Sequence, residues 1–288
     1  MLLLLAACGS PAVETSISVG DANLCLLKGG DLRCKFIDVV HDEGQTDPPP
    51  GEYGAVEAGY IPNCALTTAG EAKCWGRDMS GSNSPPSGVF TELAVGDYYA
   101  CGLRTSGSVE CWGESPDGAT SPPAKKFVHI TEAGATMCGL DAAGLATCWG
   151  FDFQGQVSSP APGPFVAIEG GTRLFCGLTA EGAIKCWGNS DYDLLSPPSG
   201  TGFKSIALAT YTACAIDSTD QIKCWGRKEY GYESPPSGAF VQLSGWQWPM
   251  CGLRSNGEIE CWGCAGNSPG WTQYCPDGGC CNGQFDSH

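Results

Sequence analysis

Cysteine is the residue with the most regular spacing in this sequence, and its chemistry is either disulfide formation or metal binding. Six pairs of cysteines lie ten positions apart, and Trp-Gly follows the second member of each. A seventh pair lies nine positions apart. The pairs are Cys25 and Cys34, Cys64 and Cys74, Cys101 and Cys111, Cys138 and Cys148, Cys176 and Cys186, Cys214 and Cys224, and Cys251 and Cys261.

The residues between the two cysteines of a pair predict a β-hairpin. Thr105–Gly107 suits a three-residue loop, because its last position has a positive φ that glycine adopts readily. Such a loop sets Cys101 opposite Cys111, with Cα atoms about 4.5 to 5.5 Å apart, within reach of a disulfide. In the shorter first pair the loop shrinks to Gly29-Gly30, which suits a type I′ turn. We therefore predict seven hairpin disulfides and no zinc, whose cysteine ligands usually lie two to four residues apart.

Alternation along the hairpin assigns its side chains to two faces, since residues two apart share a face. Cys101, Leu103, Val109 and Cys111 are expected on one face, and Glu110 and Trp112 on the other. Six of the nine tryptophans occupy the position of Trp112, so we expect them to pack the sheets together.

Five of the nineteen cysteines fall outside the pairs. Cys264, Cys275, Cys280 and Cys281 belong to a cysteine-rich tail, 264–288, for which two local disulfides are favoured over a metal site, with three pairings open. Cys8 follows the apolar run Met1–Ala7.

The segment Leu5-Ala6-Ala7-Cys8 resembles a bacterial lipobox, although no basic residue precedes the leucines. The resemblance implies a signal remnant at 1–7, lipidation of Cys8, a linker at 8–12, and anchoring of the chain to a membrane only by acyl chains. The alternative is an ordinary cleaved secretory signal. Either reading, like the paired cysteines, implies an oxidising compartment outside the cytoplasm. The lipidated form is expected at a bacterial envelope or cell surface, and the form without lipid is expected to be secreted.

Candidate catalytic residues are few. His41, His129 and His288 occupy no repeated site, and no phosphate loop, nucleophile elbow or calcium loop is present. Asp191-Tyr192-Asp193 is too short for a cation site. We predict a non-catalytic protein without cofactor or metal. A hydrolase whose carboxylates come from several repeats stays open as a minor alternative.

Composition supports an all-β, turn-rich fold. The 288 residues include 42 glycines and 20 prolines, and no stretch shows sustained helical spacing of apolar residues. The net charge of −16 argues against a nucleic-acid partner, because no lysine and arginine patch is available for phosphates.

Seven repeats organise the chain. First cysteines at 25, 64, 101, 138, 176, 214 and 251 give a period of 37 to 39 residues. Each unit has an opening strand, a glycine, a variable patch, the hairpin, and a variable loop ending near Ser-Pro-Pro-Ser-Gly, as at 84–88. Three or four short strands per unit predict a seven-bladed β-propeller over 13–263, with one disulfide-linked hairpin per blade. Ring closure stays open, and one solution has Val13–Val19 completing the last blade.

The unit Gly96–Gly113, with its glycine, turn glycine and Trp-Gly, resembles the repeat of the regulator of chromosome condensation family. That family forms seven-bladed propellers, and short exported bacterial propellers belong to the same repeat class. The units here are shorter, carry cysteines and lack a usual histidine, so nucleotide exchange and chromatin binding are not implied. The resemblance implies a binding module.

The variable patch before each first cysteine is the predicted binding surface. Equivalent segments of successive blades meet at one face of a propeller, so an aromatic ring with one arginine is expected there. Its members are Tyr60, Tyr98, Tyr99, Arg173, Phe175, Tyr211, Trp246 and Trp248. A second candidate surface is the loop after Trp-Gly, with Phe151, Phe153, Tyr192 and Tyr230. Since such residues dominate protein interfaces, we predict that the chain acts as a monomer on a protein partner, with cell-surface polysaccharide as the alternative.

Overall fold

The computed structural model describes residues 15–21, 23–36, 43–115, 117–228, 234–246 and 249–263. Over these residues the chain forms seven three-stranded antiparallel sheets, each built in chain order, and one 3-10 turn at Asp191–Asp193. The predicted all-β, seven-bladed propeller is therefore confirmed. Cys8, His41, Tyr230, Trp248 and the tail 264–288 lie outside the described residues, so the predictions made for them stay predictions.

Each blade contributes an inner, a middle and an outer strand. The inner strands are β1 (Thr15–Val19), β4 (Tyr53–Ala58), β7 (Phe90–Val95), β10 (His129–Glu132), β13 (Ala167–Gly171), β16 (Ser205–Leu208) and β19 (Gln242–Gly245). The middle strands are β2 (Asn23–Lys28), β5 (Asn63–Thr67), β8 (Tyr99–Arg104), β11 (Thr136–Leu140), β14 (Leu174–Leu178), β17 (Thr212–Ile216) and β20 (Met250–Leu253). The outer strands are β3 (Asp31–Phe36), β6 (Ala72–Trp75), β9 (Val109–Gly113), β12 (Ala146–Gly150), β15 (Ile184–Gly188), β18 (Ile222–Gly226) and β21 (Ile259–Trp262).

Every predicted hairpin disulfide is present. Cys101 lies opposite Cys111 in the register of β8 and β9, and the Cα atoms of all seven pairs are 4.0 or 4.1 Å apart. In the first hairpin Gly29 and Gly30 have φ angles of 62° and 86°, as the type I′ turn requires. Spacing and turn type therefore compensate as the sequence indicated.

The core lies between adjacent blades. One side of the third blade, with Cys101 and Leu103, packs on Phe127 and Trp149 of the fourth, while Trp112 packs on the second blade. In four of the seven blades a glycine follows the first cysteine and makes room for this packing: a Cβ at Gly102 would lie 2.3 Å from the Phe90 ring. The Cys-Gly motif thus combines the disulfide with a close aromatic contact.

Five of the repeated tryptophans connect a blade to the loop of the preceding one. The Trp112 indole N–H donates to the Ser82 carbonyl oxygen at 3.0 Å, and Ser82 belongs to the loop after the second blade. Four further indoles donate to a carbonyl 30 or 31 residues earlier: Trp75 to Gln45, Trp149 to Ala119, Trp187 to Gln156, and Trp225 to Leu194. The predicted packing role of these tryptophans is confirmed. Their indole hydrogen bonds also fix the backbone of the variable loops.

The ring does not close in the way considered from the sequence. The strand Thr15–Val19 pairs with Asn23–Lys28 and forms the inner strand of the first blade, and the last blade has its own inner strand. The idea that Val13–Val19 completes the last blade is therefore wrong, because every repeat supplies a whole sheet.

Side chains close the ring instead. Gln242 accepts a hydrogen bond from the Ile17 amide at 3.0 Å and donates one to the Ile17 carbonyl at 2.9 Å. The Ser244 hydroxyl accepts from the Val19 amide at 2.9 Å. The Ser18 hydroxyl likewise accepts a hydrogen bond from the Ala58 amide of the second blade. These bonds satisfy backbone groups on the free edges of the inner strands, which would be costly to bury unpaired.

Candidate functional site

The two surfaces predicted from the sequence lie at the same end of the propeller, which we call the rim. It consists of the turns from inner to middle strands and the loops that follow the outer strands. Both belong to one end because a middle strand begins where its antiparallel outer strand ends. The opposite end, formed by the hairpin turns, is called the turn end.

Tyr60 and Tyr98 form the first aromatic cluster of the rim. Their ring centroids lie 5.7 Å apart with the planes nearly perpendicular. Tyr98 is 39% exposed, and Tyr60 is half-buried beside it. The structure thus brings together two predicted binding residues from neighbouring blades.

Two further clusters join the predicted patch to the predicted loop. Arg173 lies 5.7 Å from the centroid of the Phe151 ring, and Phe151 stacks at 6.1 Å on Phe153, which is 74% exposed. In the next blade Tyr192 meets Tyr211 edge-on at 5.4 Å, and Arg227 lies 5.2 Å from both rings. The variable patch before the first cysteine and the loop after Trp-Gly therefore form one surface.

Other members of the predicted patch are not on the surface. Tyr99 is 1% exposed and Phe175 fully buried. The Tyr99 hydroxyl donates to the Gly134 carbonyl oxygen at 3.0 Å, and Phe175 stacks on Trp187. Trp246 is half-buried against the core that joins the last blade to the first. Alternation explains this pattern, because a strand that starts at Tyr99 turns the side chain of that residue inward.

The rim loops are held by their own hydrogen bonds as well as by the tryptophans. Asn83 donates from its side-chain amide to the Gly76 carbonyl oxygen at 2.6 Å. In the loop that carries Phe153, the Asp152 carboxylate accepts from the Val157 amide at 3.0 Å. The backbone that carries the exposed Phe153 ring is therefore restrained by its own hydrogen bonds.

Sequence reasoning missed the central channel. The inner strands of all seven blades line a cavity of about 130 Å³. Its titratable side chains are Glu57, Glu92, His129, Glu132 and Glu169. In the part of the chain that the structure describes, no lysine or arginine lines this cavity. The signal was available, since these glutamates and the histidine interrupt otherwise apolar opening strands of the repeats.

Glu92 and His129 form an ion pair across two blades. The Glu92 carboxylate lies 2.6 Å from His129 Nδ1, and the Ile168 carbonyl oxygen lies 2.7 Å from Nε2. Both neighbours are acceptors, so both ring nitrogens donate and the imidazole is cationic. Burial lowers the pKa of His129, but the charge and hydrogen bond of Glu92 outweigh it, so the pKa is raised.

Burial lowers the pKa of a histidine but raises the pKa of the carboxyl groups in and near the channel. It raises the pKa of Glu57 to about 7, and the Glu169 and Glu92 carboxylates contribute in the same direction. Burial and nearby Asp97 hold the pKa of Glu132 well above its usual range, against the hydrogen bond from the Gly134 amide. Burial also raises the pKa of Asp97.

Carboxylates from several blades do converge, as the hydrolase alternative required. The cavity is nevertheless small. Its volume of about 130 Å³ is below the roughly 150 Å³ of a cavity that holds a benzene-sized molecule. Among the described residues no three metal-ligating side chains are grouped so as to hold a metal ion. None of the described helices is long and apolar enough to cross a bilayer.

Comparisons with known proteins bear on the fold. No protein-family model and no curated protein matches the sequence. The ectodomain of the receptor kinase CR4 from Physcomitrella patens superimposes with a TM-score of 0.73 at 24% identity, over 86% of this chain and 73% of that one. The CRINKLY WD40 ectodomain of Arabidopsis thaliana ACR4 gives 0.71 at 23% identity, over 86% and 95%.

A third similar structure is Prp20p of Saccharomyces cerevisiae, the yeast RCC1, with a TM-score of 0.67 at 14% identity over 81% of this chain and 80% of that one. The fold is RCC1-like. At these identities the RCC1-like fold is all that the likeness establishes, and it agrees with the repeat resemblance. The exported bacterial variety expected from the sequence stays a prediction.

Proposed function

We propose that this chain is a non-catalytic binding module whose rim docks onto a protein partner. The observation that carries the proposal is the set of exposed rings on restrained loops, namely Tyr98, Phe153 and Tyr192. Aromatic residues and arginine dominate the energetics of protein interfaces. Rings on fixed loops lose little conformational entropy on binding.

The similar structures are consistent with this role. Two are ectodomains of receptor kinases, and Prp20p is known by its binding properties to Gsp1p and histones. In Prp20p, a propeller of this fold therefore acts as an interaction surface. Polysaccharide recognition, the alternative predicted from the sequence, would use the same rings.

Export completes the proposal. Seven disulfides indicate that the chain folds in an oxidising environment outside the cytoplasm. The lipobox-like sequence before Cys8 supports attachment to a bacterial membrane by acyl chains, which would hold the propeller at the cell envelope or surface. Mass spectrometry of the N-terminal peptide tests the anchor: an acylated peptide beginning at Cys8 is expected, and an unmodified Cys8 would refute it.

The rim is tested by affinity capture from envelope extracts with the soluble propeller. The variant Tyr98→Ala, Phe153→Ala, Tyr192→Ala is expected to lose the captured protein while keeping its melting temperature. A matched control replaces three exposed valines at the turn end, Val128→Ala, Val166→Ala and Val241→Ala, and should capture normally. Equal capture by both variants would reject the rim as the binding surface.

A further inference from the structure

The described chain enters the propeller at the turn end. Thr15, the first described residue, pairs with Lys28, and Lys28 in turn pairs with Asp31 across the hairpin turn of the first blade. The residues that follow Thr15, 16–19, line the central channel, so Thr15 lies on the inner side of its blade. Whatever precedes residue 15 is therefore connected to the middle of the turn end and not to the rim.

The proposed lipid anchor leaves only a short connection to the propeller. Thr15 follows Cys8 by seven positions, and a fully extended chain of that length spans about 25 Å at most. To bring the rim to the membrane, the connection would have to cross the three strands of a blade, a distance of about 10 Å. It would then have to run along strands of five or six residues, a further length of roughly 17 to 20 Å.

That path is longer than the connection, and the rim loops lengthen it further. A lipid on Cys8 therefore holds the turn end toward the membrane.

The exposed apolar side chains differ between the two ends of the propeller. In the described part of the chain the exposed aromatic rings belong to the rim, whereas the exposed aliphatic side chains concentrate at the turn end, with Leu195 at the rim as the exception. Those at the turn end are between 48% and 59% exposed: Val89, Val128, Leu145, Val166 and Val241. Exposed aliphatic side chains collected at one end of a protein favour contact with another molecule or with a membrane.

Lysines stand among these valines. Lys126 lies two positions before Val128, and Lys204 follows Phe203 at the position that valine holds in other blades. Both lysines are exposed, and long lysine side chains lie along apolar surface while the amine stays in the polar layer. Exposed glutamates such as Glu71 also belong to this end. Charge alone therefore does not draw the turn end to a bilayer, and the anchor supplies the orientation.

We propose that the turn end of the anchored propeller lies against the lipid bilayer and that the rim faces away from it. This inference rests on the proposed function, because it uses the lipid on Cys8, and it adds which end meets the membrane. The exposed valines contact the headgroup layer, where the apolar area that they bury stabilises the contact. The protein partner therefore reaches the rim from the aqueous side, and rings such as Tyr98 and Phe153 stay clear of lipid.

Lysine labelling on liposomes tests the orientation. The lipidated chain is bound to phosphatidylcholine liposomes, treated with a water-soluble amine-reactive reagent, digested and analysed by mass spectrometry. Lys28 and Lys126 at the turn end should react several-fold more slowly than in the soluble propeller, since the bilayer excludes the reagent. Lys228, an exposed lysine of the rim, should react equally fast in both. As a control, the soluble propeller mixed with the same liposomes should react at all three lysines as it does in solution.

A variant with a longer connection tests the cause of the orientation. Inserting about 20 glycine and serine residues between Ala12 and Val13 adds roughly 70 Å of reach. The propeller is then no longer held by its turn end, and Lys126 should regain the rate that it has in the soluble propeller. Persistent protection of Lys126 would show that the short connection does not set the orientation.

Three results would overturn the inference: equal reactivity of Lys126 with and without the bilayer, protection of Lys228 in place of Lys126, or a Cys8 that carries no lipid. The last result would also remove the anchor from the proposed function. Binding at the rim is tested separately by partner capture. If labelling contradicts the orientation while the rim variant still loses the partner, only this inference falls. If labelling confirms the orientation but the rim variant captures normally, the proposed binding surface falls.

Discussion

Tyr192 stands edge-on to Tyr211, with ring centroids 5.4 Å apart. Tyr192 belongs to the loop after an outer strand of the fifth blade, and Tyr211 to the turn before a middle strand of the sixth. The contact therefore crosses a blade boundary and joins two segments that look unrelated in the sequence. The two kinds of variable segment therefore form one composite surface at this boundary.

Two adjacent tyrosines give a test that separates binding from folding. Tyr98→Ala removes a ring that is 39% exposed, so stability should change by less than about 1 kcal/mol while partner capture weakens. Tyr99→Ala removes a fully packed ring and its hydrogen bond to Gly134, and should cost about 3 to 5 kcal/mol in unfolding free energy. Denaturant unfolding and capture, measured on both variants, check this. Tyr98→Ala with full capture would contradict the surface role of that ring.

The indole hydrogen bonds predict a local effect on loop rigidity. Trp112→Phe keeps an aromatic ring but loses the bond to the Ser82 carbonyl, at a cost of about 1 kcal/mol. Amide hydrogen exchange should accelerate in residues 77–84, the loop of the second blade, more than in the equivalent loop of the fourth. Trp187→Phe is the matched control, since it releases the Gln156 carbonyl in the fourth-blade loop instead. Uniform acceleration in both loops for either variant would show that the indole bonds have no local role.

The sequence predicted the fold well because its signals are local and repeated. The ten-residue sequence separation of Cys101 and Cys111, together with the turn glycine Gly107, predicts a hairpin without reference to the rest of the chain. Seven such units in tandem are compatible with few folds, of which a propeller is one. The ring closure was missed because a lone strand, Thr15–Val19, pairs equally well with either neighbour on pattern alone.

The site was harder to predict because it depends on contacts between blades. Which of Tyr98 and Tyr99 faces solvent is decided by the residue at which the middle strand begins, and the sequence shows that boundary poorly. The charged channel needs the ring itself, since Glu57 and Glu169 lie far apart in the chain and meet only when seven inner strands surround one axis. Equivalent positions in other blades hold serine, alanine or threonine, so no repeated motif marked them.

The hairpin disulfides should stabilise each blade by restricting the unfolded chain. Replacing Cys101 and Cys111 together by alanine opens a closed loop of about ten residues and should cost roughly 2 to 3 kcal/mol. Thermal unfolding of this double variant measures the loss. Peptide mapping without reductant should find Cys101 linked to Cys111, and cross-links between different blades would contradict the fold.

The channel acids predict that this protein is more stable in mild acid than at neutral pH. The pKa of Glu57 is raised by burial from 4.5 to about 7, so the folded chain binds this proton more tightly than the unfolded chain does. The associated stability is present below pH 4.5 and is lost as the pH rises through 7, a change of about 3 kcal/mol. The raised pKa of His129 acts in the same direction above pH 6.5.

Glu57→Gln isolates this effect, because glutamine has the shape of the protonated acid and does not ionise. The unfolding free energy of the unmodified protein, measured in denaturant from pH 5 to 8 with disulfides intact, should fall across that range. The variant should follow a flatter curve and be the more stable of the two at pH 8, with the contributions of His129, Glu132 and Asp97 left. Glu258→Gln, at an exposed position, should reproduce the original slope. If Glu57→Gln instead lowers stability at pH 8, the Glu57 carboxylate must have a bound cation or donor that offsets its burial, and the raised pKa is wrong.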